Sequence, residues 1–96
     1  MRPNLLTLLL LTACAASPAP SMWGAQSQTA SLNNRNYTIW WTSEDFEIIR
    51  HGWASPSQHQ QIRADMLTLV PQVTGCTMLD AAVTGDSGEM HGPLTC

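Results

Sequence analysis

Six side chains of this 96-residue chain could do chemistry beyond packing: Cys14, Cys76 and Cys96, and His51, His59 and His91. A metal ion needs several such ligands at matched spacing. No two of the histidines stand at that spacing, and neither Cys76 nor Cys96 has a second Cys or a His at ligand spacing beside it. His51 and His91 could still meet across a sheet, near Glu47 or Glu89. No glycine-rich phosphate loop, catalytic carboxylate pair or Cys–His dyad stands out. The chain has no lysine, which excludes Schiff-base chemistry. No cofactor is implied.

One tetrapeptide, Gly85-Asp86-Ser87-Gly88, matches the start of the nucleophile segment of trypsin-like serine proteases. The match stops there. Glu89 follows in place of a second glycine, Pro93 comes too late, and Ser87 has no placed His and Asp partners. A turn between two strands accounts for the four residues fully.

The N-terminus carries one positive charge at Arg2, then an apolar run from Leu5 to Leu11 broken only by Thr7, then small residues around Cys14. That order is the one a secretory signal needs. The run is far shorter than the roughly 20 residues that span a bilayer. Leu11-Thr12-Ala13-Cys14 resembles the lipobox of bacterial lipoproteins. The resemblance implies cleavage after Ala13, so that 1–13 is a signal peptide, with diacylation of the Cys14 sulfur and acylation of the new N-terminus. The competing reading is an ordinary signal peptide cut near Ala13 or Ala16. Several acyl chains, at about 0.8 kcal/mol per buried methylene, anchor stably where one would be marginal. The chain is thereby expected in the bacterial cell envelope, lipid-anchored on the periplasmic side. Ala15 in place of Asp implies, within that class, the outer membrane rather than the inner.

Cleavage there leaves 83 of the 96 residues, enough for one small domain. Its charges are Arg35, Arg50 and Arg63 against Glu44, Asp45, Glu47, Asp65, Asp80, Asp86 and Glu89, a net charge of −4. Three scattered arginines cannot neutralise a phosphate backbone, so nucleic-acid binding is excluded. With Cys14 acylated, Cys76 and Cys96 remain as a pair in an oxidising compartment, and a structural disulfide outweighs metal ligation or a reactive thiol. Closing a loop of about 20 residues stabilises by roughly 3 kcal/mol in the chain-entropy model.

The elements that must position these residues start late. Small and polar residues without apolar periodicity dominate 15–34, so 14–34 reads as a lipid-anchored flexible tether with a reach of roughly 25 Å. Trp23 interrupts it: a side chain to dip into the lipid interface, to dock on the domain, or to do neither. The domain is expected over 35–96. Tyr37 to Thr42 is rich in β-branched and aromatic residues, with Tyr37, Ile39 and Trp41 on one face of a strand and Thr38, Trp40 and Thr42 on the other. Phe46 to His51 supports a second strand, placing Phe46 and Ile48 on the core face. It also has helix signals, a Ser43 cap and a Gly52 stop; the strand is favoured because it completes a hairpin.

Ser55-Pro56-Ser57-Gln58 is a helix start, with a serine cap, proline in the first turn and glutamine at the capping-box position. Ile62, Met66, Leu69, Val70 and Val73 form one stripe. Pro71 should kink or end the helix, and Gly75 stop it at the latest. Beyond Cys76, a two-residue loop within Gly85–Gly88 would pair Val83 with Met90, Ala81 with Gly92 and Leu79 with Leu94, and set Thr77 opposite Cys96. The fold class that follows is α+β, a ββαββ sheet of about four antiparallel strands with one helix on one face, stapled by the disulfide.

One helix leaves the other sheet face bare. By strand parity that face carries Trp40, Ile49 and Met78, with His51 and His91, among threonines. Trp40, Ile49 and Met78 are the candidate partner-binding residues. Stray exposed apolar residues, or a tether lying across them, would explain the same pattern. Trp53 is expected as a plug at the edge of the core. From Arg35 to Cys96 the chain resembles small uncharacterised envelope proteins of alphaproteobacteria, through Thr74-Gly75-Cys76, Gly85-Asp86 and Leu94-Thr95-Cys96; the resemblance brings no activity with it. Two function classes follow. One is a non-catalytic lipoprotein presenting a small module to an envelope protein or the cell wall. The other is a small hydrolytic or metal-dependent envelope enzyme.

Overall fold

The computed structural model describes residues 18–96. The expected signal peptide, the lipobox-like tetrapeptide and Cys14 lie outside the described residues. The elements are strands β1 (Gln26–Leu32), β2 (Arg35–Trp41) and β3 (Asp45–Arg50), helix α1 (His59–Thr74), and strands β4 (Thr84–Gly85) and β5 (Glu89–Pro93). Three short 3-10 turns accompany them, at Pro20–Met22, Pro56–Gln58 and Asp80–Ala82. The five strands make one antiparallel sheet in the order β1-β2-β3-β5-β4. Among the described residues the α+β class, the single helix and the Cys76–Cys96 disulfide hold, whereas the four-strand ββαββ order does not.

The strands follow the chemistry of their residues. In β2 and β3, Tyr37, Ile39, Phe46 and Ile48 are buried side by side, in the register Ile39↔Ile48 and Trp41↔Phe46. Phe46 to Arg50 is thus strand and not helix. Thr42 closes that hairpin, its hydroxyl accepting the N–H groups of Glu44 and Asp45 at 3.1 Å each. Helix α1 lays Ile62, Met66, Leu69 and Val70 onto the same face. Gln58 Oε1 accepts the Ser55 N–H at 3.2 Å, which makes the capping box. The helix continues past Pro71 to Thr74, because an exposed proline near the last turn removes only one intrahelical donor. Gly75 then ends it in the left-handed region, at φ 73, with its N–H donating to Pro71 O at 3.0 Å.

Three expectations are corrected. Residues 26–32, read as tether, are strand β1, so the sheet begins well before residue 35. The Asn33-Asn34 pair, with φ 53 and 64, turns β1 directly into β2. At the other end, the strand expected from Thr77 to Val83 is broken by the 3-10 turn at Asp80–Ala82, and only the two residues of β4 pair with β5. The register there is Thr84↔His91 and Gly85↔Met90, two residues further along the first arm than expected. Asp86 dictates that shift, because its Oδ1 accepts the N–H groups of Gly88 at 2.8 Å and Glu89 at 3.2 Å and so centres the turn on Ser87-Gly88. Gly85 fits it by necessity, since a Cβ there would stand 2.2 Å from Glu89 O at φ +116. As a third correction, Thr77 pairs with Thr95 and not with Cys96. The disulfide still ties the end of the helix to the end of the chain, its Cα atoms 4.4 Å apart.

One buried carboxylate joins the helix to the first hairpin. Asp65 is 3% exposed, and its Oδ1 accepts Asn33 Nδ2 at 2.9 Å and Gln61 Nε2 at 2.8 Å. Arg35 lies 3.9 Å from its Oδ2. Burial raises the pKa of the neighbouring Tyr37 phenol, and the Asp65 charge raises it further. Removing the carboxylate breaks its hydrogen bonds with two amide groups and its contact with Arg35. Asp65→Ala is therefore expected to lower unfolding stability by about 2 kcal/mol in urea titrations, while an exposed change on the same helix, Gln72→Ala, stays within about 0.5 kcal/mol.

Candidate functional site

The sheet face turned away from α1 carries Ser27, Thr29 and Ser31 on β1, Asn36, Thr38 and Trp40 on β2, Asp45, Glu47 and Ile49 on β3, and Glu89 and His91 on β5. Cross-strand register lines up Ser27, Trp40, Glu47, His91 and Thr84 in one row. The next row holds Thr29, Thr38, Ile49 and Glu89. Trp40 and Ile49 are on the face where parity puts them, and both are half-buried. Met78 is not. It packs against the core on the helix side, because the 3-10 turn that follows it replaces the strand on which the parity argument depended.

The chain preceding β1 crosses this face. Met22 is 5% exposed and stands outside the helix-side core cluster. The Ala19 N–H donates to Glu47 Oε1 at 2.8 Å. As a result Glu47 is only 6% exposed, although it sits on the face that the helix leaves open. The crossing segment and the β3-β5-β4 side of the sheet flank an open cleft of about 510 Å³, lined by Ala19, Met22, Glu47, Thr84, Glu89 and His91 among others.

Inside the cleft the polar groups form a chain. His91 Nδ1 is 2.8 Å from Glu89 Oε2, and His91 Nε2 is 2.8 Å from Thr84 Oγ1. Burial lifts the Glu89 carboxyl above the ordinary carboxylate range, a hydrogen bond with the Glu47 carboxyl lifts it further, and His91 pulls it back. A second carboxyl beside it disfavours the charged form of Glu89. Such an arrangement can accept hydrogen bonds from a donor-rich ligand or move a proton at its surface.

The histidines do not converge. His51 pairs with Thr38 Oγ1 at 2.6 Å through Nε2, whereas His91 stands opposite Glu47. Four strand positions separate them, about 13 Å. Each His91 nitrogen already has a protein partner, and among the described residues no group of three His, Cys, Asp or Glu side chains could hold a metal ion. Ser87 is 6% exposed, and Arg50 Nη1 donates to its carbonyl oxygen at 2.8 Å, as befits a turn residue. Trp53, expected as a plug at the core edge, is 85% exposed. The carboxyl pair is not legible in the sequence, because nothing in one strand shows that Glu47 and Glu89 are diagonal neighbours. The alternation of acids with core residues in Asp45-Phe46-Glu47-Ile48 was the available signal.

No protein-family model, curated protein or solved structure matches this chain.

The two acids give opposite pH signatures. Glu89 has a raised folded-state pKa, so its contribution to stability is full below the ordinary carboxylate range and is lost as pH rises through the folded value. Asp86 is lowered by the backbone N–H groups it accepts, so its contribution is present above the ordinary range and is lost as pH falls through the folded value. Glu47→Gln keeps an acceptor for Ala19 and removes the second carboxyl. Carbon-13 titration of the Glu89 carboxyl is expected to show its midpoint moving down, with the part due to burial remaining; an unmoved midpoint would mean that the pair is not coupled.

Proposed function

We propose that this chain is a lipid-anchored protein of the bacterial cell envelope, held by Cys14, and that its open sheet face binds a partner without catalysing a reaction. The observation that carries the binding part is the cleft beneath the Pro20–Met22 turn, where Glu47, Glu89 and His91 meet beside Trp40. Its lining is largely apolar, and the ionisable residues in it are Asp45, Glu47, Glu89 and His91, with neither arginine nor lysine among them. Hydrogen-bond donors and cationic groups suit such a surface, and an aromatic side chain at its side adds contact area. An envelope protein or a cell-wall fragment presenting amines fits that description. The anchor part rests on the lipobox resemblance, with periplasmic exposure and outer-membrane residence following from it.

A second reading has one observation in its favour. The Glu47–Glu89 pair beside His91 has the makings of a proton relay, as a small hydrolase would need. A hydrolase reading requires activity lost on Glu89→Gln with the fold retained.

Cross-linking in intact envelopes separates the readings. The wild-type chain is expected to give one defined product, identified by mass spectrometry, that disappears in Trp40→Ala at matched expression and fold. Cys14→Ser is expected to move the chain from the membrane to the soluble fraction. A product indifferent to Trp40→Ala would rule out the open face as the binding surface.

A further inference from the structure

We infer that Trp23 is a second membrane contact, inserting into the lipid interface beside the acylated Cys14. The inference rests on the lipid-anchored reading above and adds to it an orientation of the domain against the bilayer.

Trp23 sits at the tip of a tight turn. Its φ and ψ are −65 and 128, Gly24 follows at φ 86, and the Ala25 N–H donates to Met22 O at 3.0 Å. That is a type II turn with Trp23 and Gly24 as its central residues, and the positive φ accounts for the glycine. The turn is held on both sides. Met22 is buried at 5% exposure and Ala19 is bonded to Glu47, while β1 begins at Gln26. Trp23 faces outward, 71% exposed, and is the large apolar side chain displayed by the turn. An indole on a fixed tip has lost little freedom by being displayed there, and membrane–water interfaces are where tryptophan concentrates.

The chain brings that tip to the membrane. Cys14 lies four residues before Pro18, so even a fully extended connection reaches at most about 14 Å. No charged residue occurs between Arg2 and Arg35, so nothing beside the turn in sequence opposes contact with lipid. The other exposed tryptophan, Trp53 at 85%, lies in the connection between β3 and α1, far along the chain from the anchor. It serves as the control.

The test uses mature protein purified from membranes after expression of the full chain. The mass of the N-terminal peptide first reports on Cys14. An unacylated Cys14 overturns the anchor reading, and this inference with it. The acylated protein is then reconstituted into phosphatidylcholine vesicles with brominated acyl chains, which quench nearby indoles. Wild type and Trp53→Ala are expected to show quenching with a blue-shifted component. Trp23→Ala, with unchanged circular dichroism, is expected to lose both. Quenching that persists in Trp23→Ala, or none in acylated wild type, overturns the inference while leaving the anchor standing.

Discussion

A five-stranded antiparallel sheet has two faces, and the described chain has one helix to cover them. Everything distinctive about the molecule follows from how the second face is managed. On the helix side, Tyr37, Ile39, Phe46, Ile48 and Met90 meet Ile62, Met66 and Val70 in a dry core. On the other side the residues are small, polar or acidic, apart from Trp40 and Ile49. The segment before β1 folds back over part of that face, and the bond from Ala19 to Glu47 compensates a carboxylate that has lost most of its water.

The disulfide and Asp65 are the two fasteners that let so small a core suffice. Cys76–Cys96 fixes the end of α1 to the end of the chain, and Asp65 fixes the middle of α1 to the Asn33-Asn34 turn. They leave the segment before Gln26 free to serve the opposite face.

What could be read from the sequence was what local patterns encode. Alternation in Tyr37–Trp41 and Phe46–Ile48 gave the central hairpin, and the Ser55 cap, the stripe from Ile62 and Gly75 gave the helix. Cysteine parity gave the bridge. Strand β1 was hidden because Gln-Ser-Gln-Thr-Ala-Ser-Leu has little β propensity; as an edge strand it depends on backbone pairing with β2, with Ala30 and Leu32 as its apolar contacts. Asn33-Asn34, with both residues at positive φ, is the turn signal between β1 and β2. Met78 was misplaced because one 3-10 turn cancels any parity count that runs through it. The Glu47–Glu89–His91 cluster needs β3 and β5 to be neighbours, and that adjacency is a product of the whole fold.

The functional account therefore turns on the crossing segment. If it rests on the sheet, the cleft exists, Glu47 is buried for a reason and Trp23 is held in a fixed turn. Amide hydrogen exchange, resolved residue by residue, measures this directly. The account predicts protected Ala19 and Met22 amides in the wild-type protein, with protection lost in Glu47→Ala while β2 and β3 stay protected. Ala19 and Met22 exchanging at free-chain rates in the wild type, beneath a fully protected sheet, would contradict it.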